Sequence, residues 1–369
     1  MAEFKTIREL CCVVADCPHS TPTWTSKGKI VIRNNNIKNG RIDLSYPSFT
    51  DEDHYEQRIK RATPRPGDLI ITREAPIGEV GMIPEDVECC LGQRMVLLRV
   101  EPSICDNYYL LYSLQSRYVQ HQLSWSEGTG TTVSNLRIPH LEQIKVPYVP
   151  LPKQRSIAAV LRSLEDKMDI NRKLNDNLQR QAQAIYTAMF ISNADPTWAQ
   201  GRLSDLITVK YGKDHKKLAD GAYPVFGSGG IMRYVERPLY TGESVLIPRK
   251  GTLNNVMYVN EPFWSVDTMF FTEMKIPNVA KFVFHFVKAK DLASMNAGSA
   301  VPSMTTDILN AMELAIPSAE RLAEFETVVA PMYQAMQSNN RESAKLAELR
   351  DTLLPKLMSG ELDVSSIQI

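Results

Sequence analysis

A chain of 369 residues exceeds what one ordinary hydrophobic core serves, so two domains are expected. Hydrophobic residues at 43% and charged residues at 23% are ordinary globular composition, and no apolar run reaches the roughly 18 residues that would cross a bilayer. The 42 Lys and Arg balance 42 Asp and Glu, so bulk charge gives no argument for a polyanionic partner. The opening MAEFKTIREL lacks the basic flank, apolar centre and small-residue cleavage site of a signal peptide, and a cytoplasmic location without membrane contact is expected.

The six cysteines (Cys11, Cys12, Cys17, Cys89, Cys90, Cys105) fall in the first third with no CxxC spacing, and read as free, buried thiols of a reducing compartment rather than metal ligands. Between Lys27 and Arg73 ten basic residues face six acidic ones. Inside that window RNNNIKNGR (Arg33 to Arg41) concentrates amides and cations. The runs DLIIT and MVLLRV, bounded by Gly and Pro, predict strands of a mixed or antiparallel sheet, and Asp106 to Leu123 predicts a helix with an apolar stripe.

After Pro152 the chain continues to about Ser192 without Gly or Pro, which predicts a helix of roughly 60 Å. Ile157, Leu161, Leu164, Met168, Asn171, Asn175, Leu178, Ala182, Ile185 and Met189 alternate at four and three spacing, the seam of a coiled coil. The features of the first third then return in the same order. IREL (Ile7 to Leu10) corresponds to LSDL (Leu203 to Leu206), RPGDLIITREAPIGEVGMI to YTGESVLIPRKGTLNNVMYV with Gly67 on Gly242, and GTTVSNL (Gly130 to Leu136) to GSAVPSM (Gly298 to Met304). The first copy is the longer in its variable part. Strands SVLIP and MFFTEM and a helix over Asn278 to Lys290 belong to the second copy, whose window Lys210 to Lys250 holds eight basic residues against four acidic ones.

A second long helix is predicted from an N-cap at Ser318 to Gly360, with Pro355 kinking it or ending it early. Its seam is Leu322, Phe325, Val329, Met332, Met336, Asn339, Ser343, Leu346, Arg350, Leu353 and Leu357. Antiparallel packing brings Asn171 and Asn175 near Asn339 and Ser343, where polar residues lower stability but set register. From Asp307 to Asp363 five basic residues face ten acidic ones, so charge is segregated along the chain, as in a phosphate-binding surface beside a protein-binding one.

KLAELRDTLLPKLMSGELDV (Lys345 to Val364), GTTVSNL and PLPKQRSIAAVL (Pro150 to Leu161) resemble the conserved regions of type I restriction-modification specificity subunits. FGSGG (Phe226 to Gly230), RKGT (Arg249 to Thr252) and FWSVDTMFF (Phe263 to Phe271) resemble one branch of their target-recognition domains, so the likeness covers nearly the whole chain. It departs in a more compact PLPKQRSI and in Glu320 and Arg321, where Gln is common. The resemblance implies an α+β fold in which two target-recognition domains, with small mixed or antiparallel sheets and short helices, are separated by two long antiparallel coiled-coil helices in an internal pseudo-twofold repeat. The expected divisions are 1–150 for the N-terminal recognition domain, 151–193 for the central helix, 194–316 for the C-terminal recognition domain and 317–369 for the last helix and tail. It also implies a non-catalytic subunit that binds double-stranded DNA, two methyltransferase subunits and, in the full complex, two restriction-translocase subunits, with S-adenosylmethionine, ATP and Mg on those partners.

Asn pairs bidentately with adenine and Arg with guanine, which makes Arg33, Asn34, Asn35, Asn36, Lys38 and Arg41 the first candidates to read bases. Arg73 and Arg94 are further candidates, with surface ion pairing as the alternative. In the second copy Lys210, Tyr211, Lys213, Ser228, Arg249, Lys250 and Asn254 are expected at DNA, with turn formation as the alternative for Asn254 and Asn255 after Gly251. No Asn-Pro-Pro-aromatic or Asp-Pro-Pro-aromatic methyltransferase motif and no Walker loop is present. Two rival readings are a coiled-coil scaffold for proteins alone and a metal-dependent nuclease using Asp267, Glu273 and Lys275. The second suffers because Asp267 and Glu273 on one strand sit roughly 20 Å apart.

Overall fold

The apolar runs bounded by Gly and Pro form strands: Leu69–Thr72, Met95–Val100, Ser244–Pro248 and Met269–Met274. They belong to a computed structural model of the chain, which describes residues 3–38, 40–124, 135–295 and 303–364. GTTVSNL and GSAVPSM therefore lie outside the described residues except for Asn135, Leu136, Ser303 and Met304. The chain divides into two units, Met1–Ile170 with Arg341–Ile369, and Asn171–Asn340.

Both units follow one plan. The first has a four-stranded sheet in the order Cys11–Asp16, Met95–Val100, Leu69–Thr72, Val80–Met82, and the second has Ile207–Tyr211, Met269–Met274, Ser244–Pro248, Met257–Val259. Each adds a three-stranded sheet whose central strand, Lys29–Ile32 or Tyr223–Gly227, pairs antiparallel on one side and parallel on the other. Each also closes with a two-stranded pair, Glu3–Thr6 with Lys145–Tyr148 and Ala199–Arg202 with Glu313–Ile316. Among the described residues the first unit alone carries the extra hairpin Ile37–Lys38 with Arg41–Ile42. The fold is α+β with an internal repeat, and the length difference between the copies resides in such insertions.

The first long helix runs Leu151–Thr187 and ends in a π-helical turn, Ala188–Ser192. The second runs Ala319–Ser359 and continues through Pro355, so of the kink or early end expected there the early end does not occur. One proline removes a single backbone bond, and Leu357 and Met358 just beyond it are buried in the first unit's core with Ile157 and Leu161. The Asp106–Leu123 segment is two helices, Asn107–Gln115 and Arg117–Ser124. Ser116 breaks them in an extended conformation while its hydroxyl donates to the Ser113 carbonyl (2.6 Å).

The expected seam positions are buried or half-buried. In the second unit the polar cluster takes Asn340 as a member: Asn171 Nδ2 donates to the Asn339 carbonyl (3.4 Å), Asn339 Nδ2 to Asn175 Oδ1 (2.8 Å), and Asn175 Nδ2 to Asn340 Oδ1 (2.8 Å). Ser343 belongs to the other unit. Replacing Asn171 and Asn339 together by leucine is expected to raise the thermal midpoint while loosening register, read as several disulfide cross-linked pairs where the parent gives one. A single register in the double variant contradicts this role for the amides.

Each unit ties a short helix, Asn107–Gln115 or Ala280–Lys288, to the long helices through a buried polar network. In the first, the Tyr112 hydroxyl donates to Glu165 Oε2 (3.0 Å), and Arg350 lies 3.5 Å from Glu165 Oε1. In the second, Lys281 Nζ bridges Glu243 (2.7 Å) and Glu326 (2.6 Å), with its side chain only 4% exposed. Beside it, His285 donates from Nδ1 to Gln183 Oε1 and accepts at Nε2 from the Tyr333 hydroxyl, both at 2.8 Å. Burial holds this imidazole neutral and lowers its pKa to about 4. The unfolded chain takes up a proton near pH 6.5. The folded unit takes up its proton only near pH 4, so stability present above pH 6.5 is lost as pH falls through that window, by up to about 3 kcal/mol. Urea denaturation of His285→Gln is expected to show a flatter pH dependence between 6.5 and 4 than the parent.

Candidate nucleic-acid interface

The repeat brings the same four chain positions together in each unit. Gly92 N donates to the Ile32 carbonyl (2.7 Å) as Val266 N does to Phe226 (3.0 Å). Arg73 N donates to the Arg94 carbonyl (2.8 Å) as Arg249 N does to Thr268 (2.8 Å), and Leu136 N to Arg73 (3.0 Å) as Met304 N to Arg249 (2.9 Å). Asp16 pairs with Val96 across the sheet as Tyr211 pairs with Phe270. Arg33, Asn34 and Asn35 thus take the place of Gly227, Ser228 and Gly229, Arg73 that of Arg249, and Asp16 that of Tyr211.

In the first unit a cleft of about 650 Å³ opens here, walled by Trp24, Arg33, Asn34, Asn35, Gln93 and Arg94 among others. The Arg33 guanidinium lies 5.0 Å over the exposed Trp24 ring, which presents a flat cation at the mouth. Arg94 has a φ of +67°, a left-handed conformation that costs a side-chain-bearing residue about 1 kcal/mol or more, and its Nε reaches Glu74 at 3.0 Å. Asn34 Nδ2 donates to the Glu74 carbonyl (2.7 Å), and its Oδ1 is buried with no partner. Trp24 carried no signal in the sequence, because only tertiary packing sets its ring under Arg33.

In the second unit the Arg249 guanidinium lies 5.5 Å over the ring of Tyr211, itself half exposed, and its Nη1 donates to the Asp267 carbonyl (3.0 Å). Lys250 is exposed in the following turn. Gly251 has a φ of +84°, and a Cβ there would meet Ser228 Oγ at 2.7 Å, so the RKGT turn is glycine-dependent where it packs on the FGSGG turn. Asn255 Nδ2 secures that contact by donating to the Ser228 carbonyl (2.8 Å). Lys213 is exposed at the end of the Tyr211 strand, and Lys210 pairs with Glu273 (3.5 Å).

Several residues expected at DNA are committed within the chain. Asn36 is buried, accepting from Arg33 N (2.9 Å) and donating to the Asp43 carbonyl (2.9 Å). Arg41 ties the extra hairpin to the long helix, pairing with Asp169 and donating to the Glu165 carbonyl (3.2 Å), while Lys38 is exposed on the same hairpin. Arg73 is 8% exposed, with its guanidinium donating to Asp16 (2.8 Å), the Leu136 carbonyl (2.8 Å) and Asn135 Oδ1 (3.2 Å). Asn254 bonds Asp291 (3.0 Å) and Ala293 N (3.0 Å), which is loop formation. A guanidinium or amide satisfied this way has few donors left for a ligand.

The residues of the nuclease reading do not gather: Glu273 faces Lys210, and Lys275 Nζ donates to the Ser204 carbonyl (2.6 Å). Among the described residues no group of three His, Cys, Asp or Glu forms a metal cluster, and no helix is long and apolar enough to cross a membrane. Five cysteines are buried and Cys12 is exposed, with burial pushing the Cys89 thiol up to about 12 and Cys90 to about 11.

A family model described as the type I restriction modification DNA specificity domain matches residues 2–180 and 196–325. The chain is 21% identical over 368 residues to the type I restriction enzyme MjaIX specificity subunit of Methanocaldococcus jannaschii, covering 87% of this chain and 84% of that one. It is 23% identical to the EcoprrI specificity subunit of Escherichia coli over 76% of this chain and 77% of the relative. The solved S subunit of a type I restriction-modification system from M. genitalium matches with a TM-score of 0.61 at 19% identity, covering 96% of this chain and 95% of that one, which shows a shared fold. The repeated domain matched twice by the family model is the repeat seen in both sheets and both interface clusters, and the chain belongs to the type I restriction-modification DNA specificity family.

Proposed function

We propose that this chain is the address-reading subunit of a type I complex, in which residues 1–150 and 194–316 each read one half of a bipartite duplex DNA site. The long helices, 151–193 and 317–369, dock two methyltransferase subunits and set the unread gap. Two restriction-translocase subunits join in the full complex. The chain carries no catalytic centre in this reading, and S-adenosylmethionine, ATP and Mg act on the partners.

The observation that carries the reading is that each unit gathers exposed or half-exposed, DNA-competent side chains at the same place in the repeat, although the residues themselves differ: Arg33, Asn34, Asn35 and Arg94 in one unit, Tyr211, Lys213, Ser228, Arg249 and Lys250 in the other. Arginine over an aromatic ring presents its donor fork edge-on to a guanine, while nearby lysines hold phosphate. A scaffold for proteins alone gives no reason for two such clusters at one topological position. The chain co-purified with its methyltransferase should retain one bipartite duplex against shuffled competitor by about a thousandfold or more. A stable assembly without sequence preference favours the scaffold.

A further inference from the structure

We infer that the second unit recognises thymine methyl groups in its half-site through Ile231 and Met232, a reading that rests on the DNA-binding function proposed above. Both side chains are exposed, at 51% and 61%, on consecutive residues of the edge strand Gly230–Val235. Consecutive strand residues normally face opposite sides. Here Val225 pairs with Arg233 and Phe226 with Ile231, so Met232 is the extra residue of a bulge, a device that re-aims a side chain.

The Met232 sulfur lies over Gly227, where a Cβ would stand 2.5 Å from it, at the start of the FGSGG turn. That turn packs on the RKGT turn through Gly251 and Asn255, which joins the strand carrying the aliphatic pair to the turn that carries Arg249 and Lys250. Gly229, at the tip, has no left-handed φ, and a Cβ added to it would meet no atom within 4 Å, so nothing inside the chain calls for glycine there. A glycine there leaves room for a close approach from outside. An aliphatic pair on a strand whose turn packs on a cation-bearing turn fits a surface where phosphate and base meet, and the thymine C5-methyl is the apolar group the major groove offers. In the first unit the strand that pairs antiparallel at the same place, Ser48–Thr50, carries no aliphatic side chain of this kind, so methyl reading belongs to one half of the site.

The test uses the assembled complex and a duplex carrying its methylation motif, with the second unit's half identified by the effect of Arg249→Ala. Thymines of that half are replaced singly by deoxyuridine, which removes the methyl and leaves pairing intact. Binding is expected to weaken about fourfold for a contacted methyl, to be insensitive in an Ile231→Thr, Met232→Gln double variant, and to be insensitive to the same replacement in the other half. Three results overturn the inference while sparing the function: no loss with deoxyuridine, a second half-site without thymine on either strand, or failure of the double variant to assemble with the methyltransferase, which would make the strip a protein contact. Loss of all sequence preference in the parent complex overturns both.

Discussion

Arg94→Gly is expected to erase discrimination at one or more base pairs in the first half of the DNA site without lowering thermal stability. The residue holds a φ of +67°, which glycine adopts freely, so the substitution relieves backbone strain while deleting the guanidinium that faces the cleft. In the second unit, Arg249→Ala removes the cation stacked on Tyr211. Each is expected to weaken binding to the cognate site by about 10- to 100-fold, the range of one good bidentate contact, and to relax only its own half. Fluorescence anisotropy on duplexes varied one base pair at a time separates the two. An equal loss on every sequence would make these arginines phosphate contacts.

Lys281→Ala should be the most damaging single change in the second unit. Its ammonium is the shared counter-ion of Glu243 and Glu326, and Glu326 Oε2 is already buried without a partner. Removing the cation strands two carboxylates against each other, which costs about 3–5 kcal/mol. Hydrogen exchange is expected to speed up across 171–340 and not across 3–124. Replacing all three by Lys281→Met, Glu243→Gln and Glu326→Leu should recover most of the loss, because an apolar contact of similar volume escapes the desolvation that the ions bear. If Lys281→Ala matches the parent within about 1 kcal/mol, the network is not what holds the helix Ala280–Lys288 to the long helix.

The repeat and the long helices were legible because period and punctuation are local properties: four-three spacing from Ile157 onward, and Gly and Pro around SVLIP or DLIIT. Site composition was legible in part. Arg33, Asn35, Arg249 and Lys250 stand out as cations and amides near turns, and the structure leaves them exposed or half-exposed. Arg73 and Arg41 look identical to them in sequence, yet Asp16 and Asp169 neutralise them from distant positions in the chain. Asp16 and Tyr211 occupy equivalent sites, so one substitution decides whether the neighbouring arginine is buried in an ion pair or laid on a ring. That pairing is fixed only when the sheet forms, as is the bulge that turns Met232 outward.

The central claim, that the two units read separate halves of one site, is tested most directly by sequencing the methylated adenines of cells that express this chain with its methyltransferase. Parent cells are expected to show one bipartite motif, Arg33→Ala with Arg94→Gly to lose or change only one half, and Arg249→Ala with Lys250→Ala only the other, with the gap unchanged. A motif untouched by both pairs of substitutions, or one altered in both halves by either pair, would contradict the account.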